Sequence, residues 1–94
     1  MNIQLIKFGR VLTSRQAGKE AYAAYSPYLE GISKNETIDI DFRDVIVFSP
    51  SWGDEFLTPL LVKFKKRVNF LNTNNPSVRA TTELLEAIKW EDIK

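Results

Sequence analysis

The segment from Thr37 to Phe42 constrains the fold most, because its residues alternate strictly between apolar and polar. The two kinds of residue occupy opposite faces of an extended chain, with Ile38, Ile40 and Phe42 on one face and Thr37, Asp39 and Asp41 on the other. A repeat of two predicts a β-strand with one buried face. The rest of the chain must therefore supply strands beside this one and elements that cover it.

Two other segments predict strands of the same sheet. Met1 to Phe8 contains β-prone residues and ends at Gly9, and Val68 to Leu71 is bounded by a basic run and a polar turn. The apolar run from Val45 to Phe48 is interpreted as a short continuation of the strand from Thr37 to Phe42. Each strand is followed by a stretch long enough to form a helix.

The first and last of these stretches repeat apolar residues at steps of three and four, the period of an amphipathic helix. The first helix begins after Ser14 as its N-cap and runs to Gly31, and Pro27 is expected to kink it or to start a new helix. The last helix begins near Pro76. The predicted apolar stripes are Ala17, Ala21, Ala24, Tyr25, Tyr28, Leu29 and Ile32 in the first helix, and Val78, Thr81, Leu84, Leu85 and Ile88 in the last.

The second helix follows the turn-forming sequence Ser49-Pro50-Ser51. Ser51 is predicted as its N-cap, which places Asp54 and Glu55 in the first turn, where the helix dipole stabilises negative charge. Trp52 lies at the start of this helix. It is interpreted either as a core residue or as a partly exposed anchor for a partner.

The resulting order is β-α-β-α-β-α, which predicts an α/β domain with a largely parallel or mixed sheet packed with helices. The chain has 94 residues, and a hydrophobic fraction of 44% supplies one modest core, so residues 1–94 are predicted to form a single domain. No apolar run approaches the ~20 residues that span a bilayer. We therefore expect no membrane association and a cytoplasmic location.

The composition removes many kinds of chemistry. The chain contains no cysteine and no histidine, which excludes disulfides, thiolate nucleophiles, zinc–thiolate sites and the most common general base. The net charge of +1 gives no overall field that would attract nucleic acid or an anionic membrane. No catalytic residue, metal site or cofactor is predicted, and a partner must be recognised by a local patch.

Arg15 is the most informative residue of the candidate site, because a cation in the first turn of a helix opposes the helix dipole. In open α/β sheets, ligands collect at the carboxyl ends of strands and at the helix N-termini that follow. Ser14, Asp41 and Ser51 are predicted to lie in that region. Arg15 is expected either to face a ligand or partner, or to form a structural ion pair with Asp41 or Asp54.

The charged residues permit three sharper interpretations: a metal site, an acid–base pair and a phosphate contact. A metal site or an acid–base pair requires converging carboxylates, but no spacing among the candidates matches a known metal motif; they are Asp39, Asp41, Asp44, Asp54 and Glu55. The basic run from Lys63 to Arg67 is a candidate phosphate contact, although a solvated helix end explains it better.

Three stretches resemble the signature of the STAS-like domain family of unassigned function: Leu12 to Arg15, Asp41 to Val45, and Ser49 to Phe56. In that family a serine-arginine pair opens the first helix and an aspartate-phenylalanine pair ends a strand. A serine, an aromatic residue and an acidic pair then open the next helix. The resemblance covers the chain from about Phe8 to about Leu85.

The resemblance implies the fold of STAS domains, in which helices pack against a small mixed sheet, and a regulatory role in binding proteins. It implies a kinase-type ATPase or a transcriptional regulator as partner. Several STAS domains are switched by phosphorylation of a serine at the start of the second helix. This chain departs from them, because Ser49 and Pro50 stand where the switched members have an acidic residue and the acceptor serine. Ser51 is the nearest hydroxyl and the candidate acceptor, but phosphorylation there is disfavoured, because the predicted capping role occupies its oxygen.

The favoured hypothesis is a non-catalytic regulatory module that binds a protein partner at the N-termini of the first two helices. Its predicted contact residues are Arg15, Ser51, Trp52, Asp54 and Glu55, supported by Ser14 and Asp41. The alternative is a small enzyme or ligand-binding domain that uses Arg15, Asp41, Asp54 and Glu55 at the strand ends. Nucleic-acid binding is disfavoured, and homo-oligomer formation stays open.

Overall fold

The three predicted helices are present, but the order along the chain is β-β-α-β-β-α-β-α, with two more strands than the predicted β-α-β-α-β-α. The computed structural model describes residues 1 to 91, and the side chains of residues 1 to 87. In chain order the elements are β1 (Asn2–Gln4), β2 (Val11–Leu12), α1 (Arg15–Leu29), β3 (Ile38–Asp41), β4 (Val47–Phe48), α2 (Pro50–Phe64), β5 (Val68–Leu71) and α3 (Pro76–Glu91). Short 3-10 helices at Leu5–Phe8 and Lys65–Arg67 follow β1 and α2.

The main sheet contains β1, β3 and β5 in the order β1-β3-β5, and both pairs are parallel. The predicted apolar face of the central strand is buried, with Ile38 and Ile40 fully buried and Phe42 2% exposed, but Asp41 on the opposite face is also buried. The predicted strand Val68–Leu71 is confirmed at both ends. The α/β class and the parallel pairing are therefore confirmed.

A second, two-stranded parallel sheet consists of β2 and β4. Two strand predictions are wrong here. The strand predicted from Met1 to Phe8 stops at Gln4, because the chain continues as a 3-10 helix until Gly9, whose φ of 128° is one that only glycine adopts readily. The run from Val45 to Phe48 is not a continuation of β3. Its last two residues pair instead with β2, in the separate sheet.

The first helix is uninterrupted at Pro27. Proline has no N–H to donate to the carbonyl of Ala23, four residues earlier. The hydroxyl of Ser26 donates to that same carbonyl oxygen at 3.4 Å and so supplies a replacement donor. A new helix at Pro27 is therefore not formed, and α1 ends at Leu29, two residues before the predicted end at Gly31.

The core is built around α2, which packs between α1 and α3. Trp52 is 1% exposed, so the interpretation of this residue as an exposed anchor is wrong and the core alternative is correct. Its ring stacks on Phe56 with centroids 5.0 Å apart, and Phe48 meets it edge-on at 6.0 Å. Aromatic contacts of this kind lock the start of α2 into the interior.

Two glycines let the helices approach closely. A Cβ at Gly18 of α1 would lie 2.6 Å from the carbonyl oxygen of Trp52, and one at Gly53 would lie 2.8 Å from Cδ1 of Leu85 and 2.9 Å from Cζ of Phe48. All three distances are shorter than van der Waals contact allows. The α1–α2 contact is the stricter of the two, because its opposing atom belongs to the backbone.

Three of the five positions predicted for the apolar stripe of α3 are buried, one is exposed, and one is not described. Val78, Thr81 and Leu85 are buried, whereas Leu84 is 57% exposed. Thr81 is accommodated because its hydroxyl donates to the carbonyl oxygen of Phe48 at 2.7 Å. The side chain of Ile88 lies outside the described residues.

We expect Gly18→Ala to lower the free energy of unfolding. The added methyl group forces α1 and α2 apart at a cost of about 1–3 kcal/mol, which exceeds the gain of at most about 1 kcal/mol in helix propensity. Urea denaturation followed by circular dichroism measures the difference.

The matched control is Gly31→Ala, because a Cβ at Gly31 meets no atom within 4 Å. Its stability should equal or slightly exceed that of the wild type. Equal stability of the Gly18→Ala variant and this control would show that the close helix contact carries no energetic weight.

Candidate functional site

The small β2–β4 sheet places the N-termini of α1 and α2 side by side. The last residues of the two strands, Leu12 and Phe48, are directly paired, and each strand leads into a helix within three residues. The backbone N–H of Ser49 donates to the carbonyl oxygen of Leu12 at 2.9 Å. The hydroxyl of Ser49 donates to the carbonyl oxygen of Thr13, also at 2.9 Å. The two helix starts are therefore hydrogen-bonded to each other.

Ser14 caps α1 as predicted, with its hydroxyl oxygen accepting from the N–H of Ala17 at 3.1 Å. The prediction of Ser51 as the cap of α2 is wrong. Ser49 is the N-cap, and its hydroxyl oxygen accepts from the N–H of Trp52 at 3.4 Å. Pro50 then occupies the first helical position, where its missing N–H costs nothing, and this preference of proline is the signal in the sequence that favours Ser49.

Because the N-cap is Ser49 rather than Ser51, the acidic pair lies two positions further from the start of α2 than predicted. Asp54 and Glu55 stand in the second turn of the helix, so the first turn contains no acidic residue and their predicted contribution there is absent. Ser51 is half-buried, and within the described residues its hydroxyl caps nothing. The capping role that would occupy the Ser51 hydroxyl thus belongs to Ser49.

Arg15, Asp54 and Glu55 form one ion-pair cluster across α1 and α2, called here the Arg15 cluster. Nη1 of Arg15 lies 3.0 Å from Oδ2 of Asp54 and 3.0 Å from Oε1 of Glu55. The two carboxylates offset the unfavourable position of this cation at a helix N-terminus. Their hydrogen bonds, that of Asp54 first and that of Glu55 second, raise the pKa of Arg15.

The Arg15 cluster lies at the surface. The side chains of Arg15, Asp54 and Glu55 are 55%, 46% and 25% exposed. Asp54 is additionally held by the hydroxyl of Thr58, which donates to its other carboxylate oxygen at 3.1 Å. In the described part of the chain, Nε and Nη2 of Arg15 have no acceptor, so this guanidinium is fixed through one nitrogen and keeps donors for another molecule.

Asp41 belongs to a different group of contacts. Its Oδ1 accepts from the backbone N–H of Arg43 at 3.0 Å and from Nδ2 of Asn72 at 2.7 Å, and the residue is 8% exposed. The prediction that Asp41 pairs with Arg15 is therefore wrong, whereas the alternative partner, Asp54, is found. Asp41 joins the turn after β3 to the turn after β5, where Asn72 has a left-handed φ of 57°.

Two of the remaining charged candidates, Asp39 and Arg67, also have structural contacts. Asp39 accepts a hydrogen bond from the amide of Asn69 at 3.1 Å. Arg67, in the basic run, donates to the carbonyl oxygens of Glu36 and Ser33 at 3.0 and 2.7 Å and lies over the ring of Phe64. Among the residues with described side chains, no three acidic groups come together in a way that could hold a metal ion.

One surface feature was missed in the sequence. Tyr25 and Tyr28, interpreted as part of a buried stripe, line an open groove together with Lys7, and Tyr28 is 67% exposed. The two rings lie 5.3 Å apart, and Nζ of Lys7 is 5.4 Å from the centroid of Tyr25. Partial burial raises the pKa of Tyr25, as does the neighbouring Tyr28. Helical spacing places both tyrosines on the apolar stripe of α1, but it cannot show that this part of the stripe lies outside the core.

Comparisons with known proteins give no relative: no protein-family model, no curated protein and no solved structure matches this chain. Across residues 1 to 91, every helix falls short of the length and apolar character that crossing a bilayer requires. The function must therefore be argued from the geometry and chemistry of the residues themselves.

We expect Ser49→Ala to destabilise the protein by about 0.5–2 kcal/mol, the usual cost of removing an N-cap hydroxyl. The substitution also removes the hydrogen bond to Thr13. Ser51→Ala is the matched control and should change stability by less than about 0.5 kcal/mol. Thermal unfolding of the three proteins measures the difference, and an equal loss in both variants would contradict the assignment of the cap.

Proposed function

We propose that this protein is a non-catalytic regulatory module that binds a protein partner at the joined N-termini of α1 and α2. The contact residues are Arg15, Asp54, Glu55 and the half-buried Ser51, with Ser14 holding the start of α1. Trp52 lies in the core beneath this surface, so it fixes the position of the surface and does not contact the partner. The observation that carries the proposal is the exposed guanidinium of Arg15, fixed by two carboxylates and still able to donate.

A guanidinium held in this way suits recognition of a protein. Arginine presents its donors in a planar fork that matches a carboxylate or a backbone carbonyl pair. Because Asp54 and Glu55 already restrict the side chain of Arg15, less conformational entropy is lost when a partner engages it. The flanking carboxylates supply acceptors for donors of the partner. Together they form a small patch with both signs of charge, which favours specificity.

The alternative enzyme or ligand-binding hypothesis receives less support. It requires that Arg15, Asp41, Asp54 and Glu55 converge, but Asp41 is committed to Asn72 and to the backbone of Arg43. The other two carboxylates are committed to Arg15. A chain without cysteine or histidine also lacks the most common nucleophile–base pairs. We therefore propose binding without catalysis.

The resemblance to STAS-like domains suggests the class of partner. Regulatory STAS modules bind kinase-type ATPases and transcriptional regulators, and we propose a partner of this kind. A phosphate on Ser51 would be placed three residues before Asp54, which repels it. We accordingly propose recognition through the Arg15 cluster itself, without a requirement for phosphorylation.

We expect substitutions in the Arg15 cluster to weaken binding without unfolding the protein. The native partner is first isolated by affinity purification and then titrated in purified form by calorimetry. We expect each of Arg15→Ala, Asp54→Asn and Glu55→Gln to raise the Kd at least about tenfold. The first removes the guanidinium, and the other two each remove a negative charge that contacts the partner and holds Arg15 in position. Their melting temperatures should barely change, since surface ion pairs add little to stability.

Two controls make the result specific. Glu30→Gln removes a carboxylate at the other end of α1 and should leave the Kd unchanged. The double variant Arg15→Ala with Glu55→Gln should bind no worse than the weaker single variant, because the residues act as one network. Unchanged binding in all three single variants, or a protein that stays alone at physiological concentration, would refute the proposal.

A further inference from the structure

The outer edge of β5 presents unpaired backbone groups. Among residues 1 to 91, the sheet order β1-β3-β5 gives this strand a neighbour on one side only. The N–H of Phe42 donates to the carbonyl oxygen of Leu71 at 3.0 Å, so the peptide groups of Leu71 face β3. Because successive residues of a strand direct these groups to opposite sides, the N–H and C=O of Phe70 face the open edge.

A groove runs along this open edge between β5 and α3. The groove is lined by Val68, Asn69 and Phe70 of β5 and by Thr73, and its helix wall consists of Arg79, Thr82, Glu83 and Glu86. These four residues of α3 recur at steps of three and four, so they share one face of the helix. The cavity volume is about 360 Å³, enough for a few residues of extended chain lying about 4.8 Å from β5.

The charged side chains of the helix wall, Arg79, Glu83 and Glu86, form no ion pairs with the side chains of residues 1 to 87. Two carboxylates therefore stand one turn apart on the groove wall, with a single cation one turn closer to the start of α3. This arrangement is complementary to a chain that carries a basic side chain opposite the carboxylates.

We propose that this groove binds an extended peptide segment of a partner protein, which adds to β5 as a fourth strand and places Lys or Arg against Glu83 and Glu86. The main-chain bonds would run to the N–H and C=O of Phe70, as in other cases where a peptide extends a sheet edge. A single chain fits between β5 and α3. A second copy fits less well, because pairing two β5 edges about a two-fold axis brings both α3 helices to the same junction.

The site is separate from the Arg15 cluster and does not depend on the function proposed for it. One surface lies at the N-termini of α1 and α2, whereas the other lies between β5 and α3. A failure of one proposal therefore leaves the other standing. Arg15→Ala distinguishes them, because it should leave peptide binding in the groove unchanged.

The test selects octapeptides from a random display library against the full chain and studies the enriched peptides in synthetic form. We expect the enriched sequences to carry Lys or Arg at alternate positions. Fluorescence polarisation measures the Kd, and nuclear magnetic resonance measures amide hydrogen exchange. On saturation, exchange at the Phe70 amide should slow at least about tenfold, as expected for an amide that gains a ladder hydrogen bond.

The charge requirement is tested with the double variant Glu83→Lys with Glu86→Lys. It should weaken binding of the basic peptides about tenfold, because two attractive pairs become repulsive. Glu30→Lys, a charge reversal outside the groove, should have no effect. N-methylation of alternate peptide amides should abolish binding without altering the side chains.

Three results would overturn the proposal. The first is a library that yields no peptide preferring the wild type over the double variant. The second is a bound peptide that leaves exchange at the Phe70 amide unchanged. The third is a free protein that sediments as a dimer with this amide already protected, which would assign the edge to a second copy of the chain.

Discussion

The contact between the backbones of α1 and α2, where Gly18 faces the carbonyl group of Trp52, determines much of the remaining structure. No side chain separates the helices at this point, so both axes are fixed closely. Arg15 lies one turn before Gly18, and Glu55 lies one turn after Trp52, on the same sides of their helices. The ion-pair cluster is thus a direct extension of a backbone contact, and its geometry is set by packing rather than by charge.

The interior and the surface make different contributions to this protein. Phe56, Leu57, Leu60 and Leu61 of α2 are at most 1% exposed, and burial of each such side chain supplies about 1.5–3 kcal/mol. Exposed ion pairs add much less, because water screens them and their side chains lose entropy. The core therefore carries the stability, and the charged residues at the helix starts are available for recognition.

The features that the sequence predicts well are those that depend on a few neighbouring residues. The strand at Val68–Leu71 and the cap at Ser14 depend on local propensity and on one side chain, and both were found. The strands β2 and β4 have only two residues each, which is too short for any periodic signal. The partners of Arg15 depend on how two helices pack. Sequence reasoning could therefore name Asp54 as a partner, but it could not choose between Asp54 and Asp41.

The β2–β4 sheet has a mechanical consequence. It joins the helix starts through two residue pairs, and Ser49 adds hydrogen bonds to Leu12 and to Thr13. A force applied to the start of α1 is therefore transmitted to the start of α2 through these hydrogen bonds, without passing through the main sheet. The two helix starts cannot shift independently unless these bonds break. A molecule bound at this end that displaced the start of one helix would displace the start of the other as well.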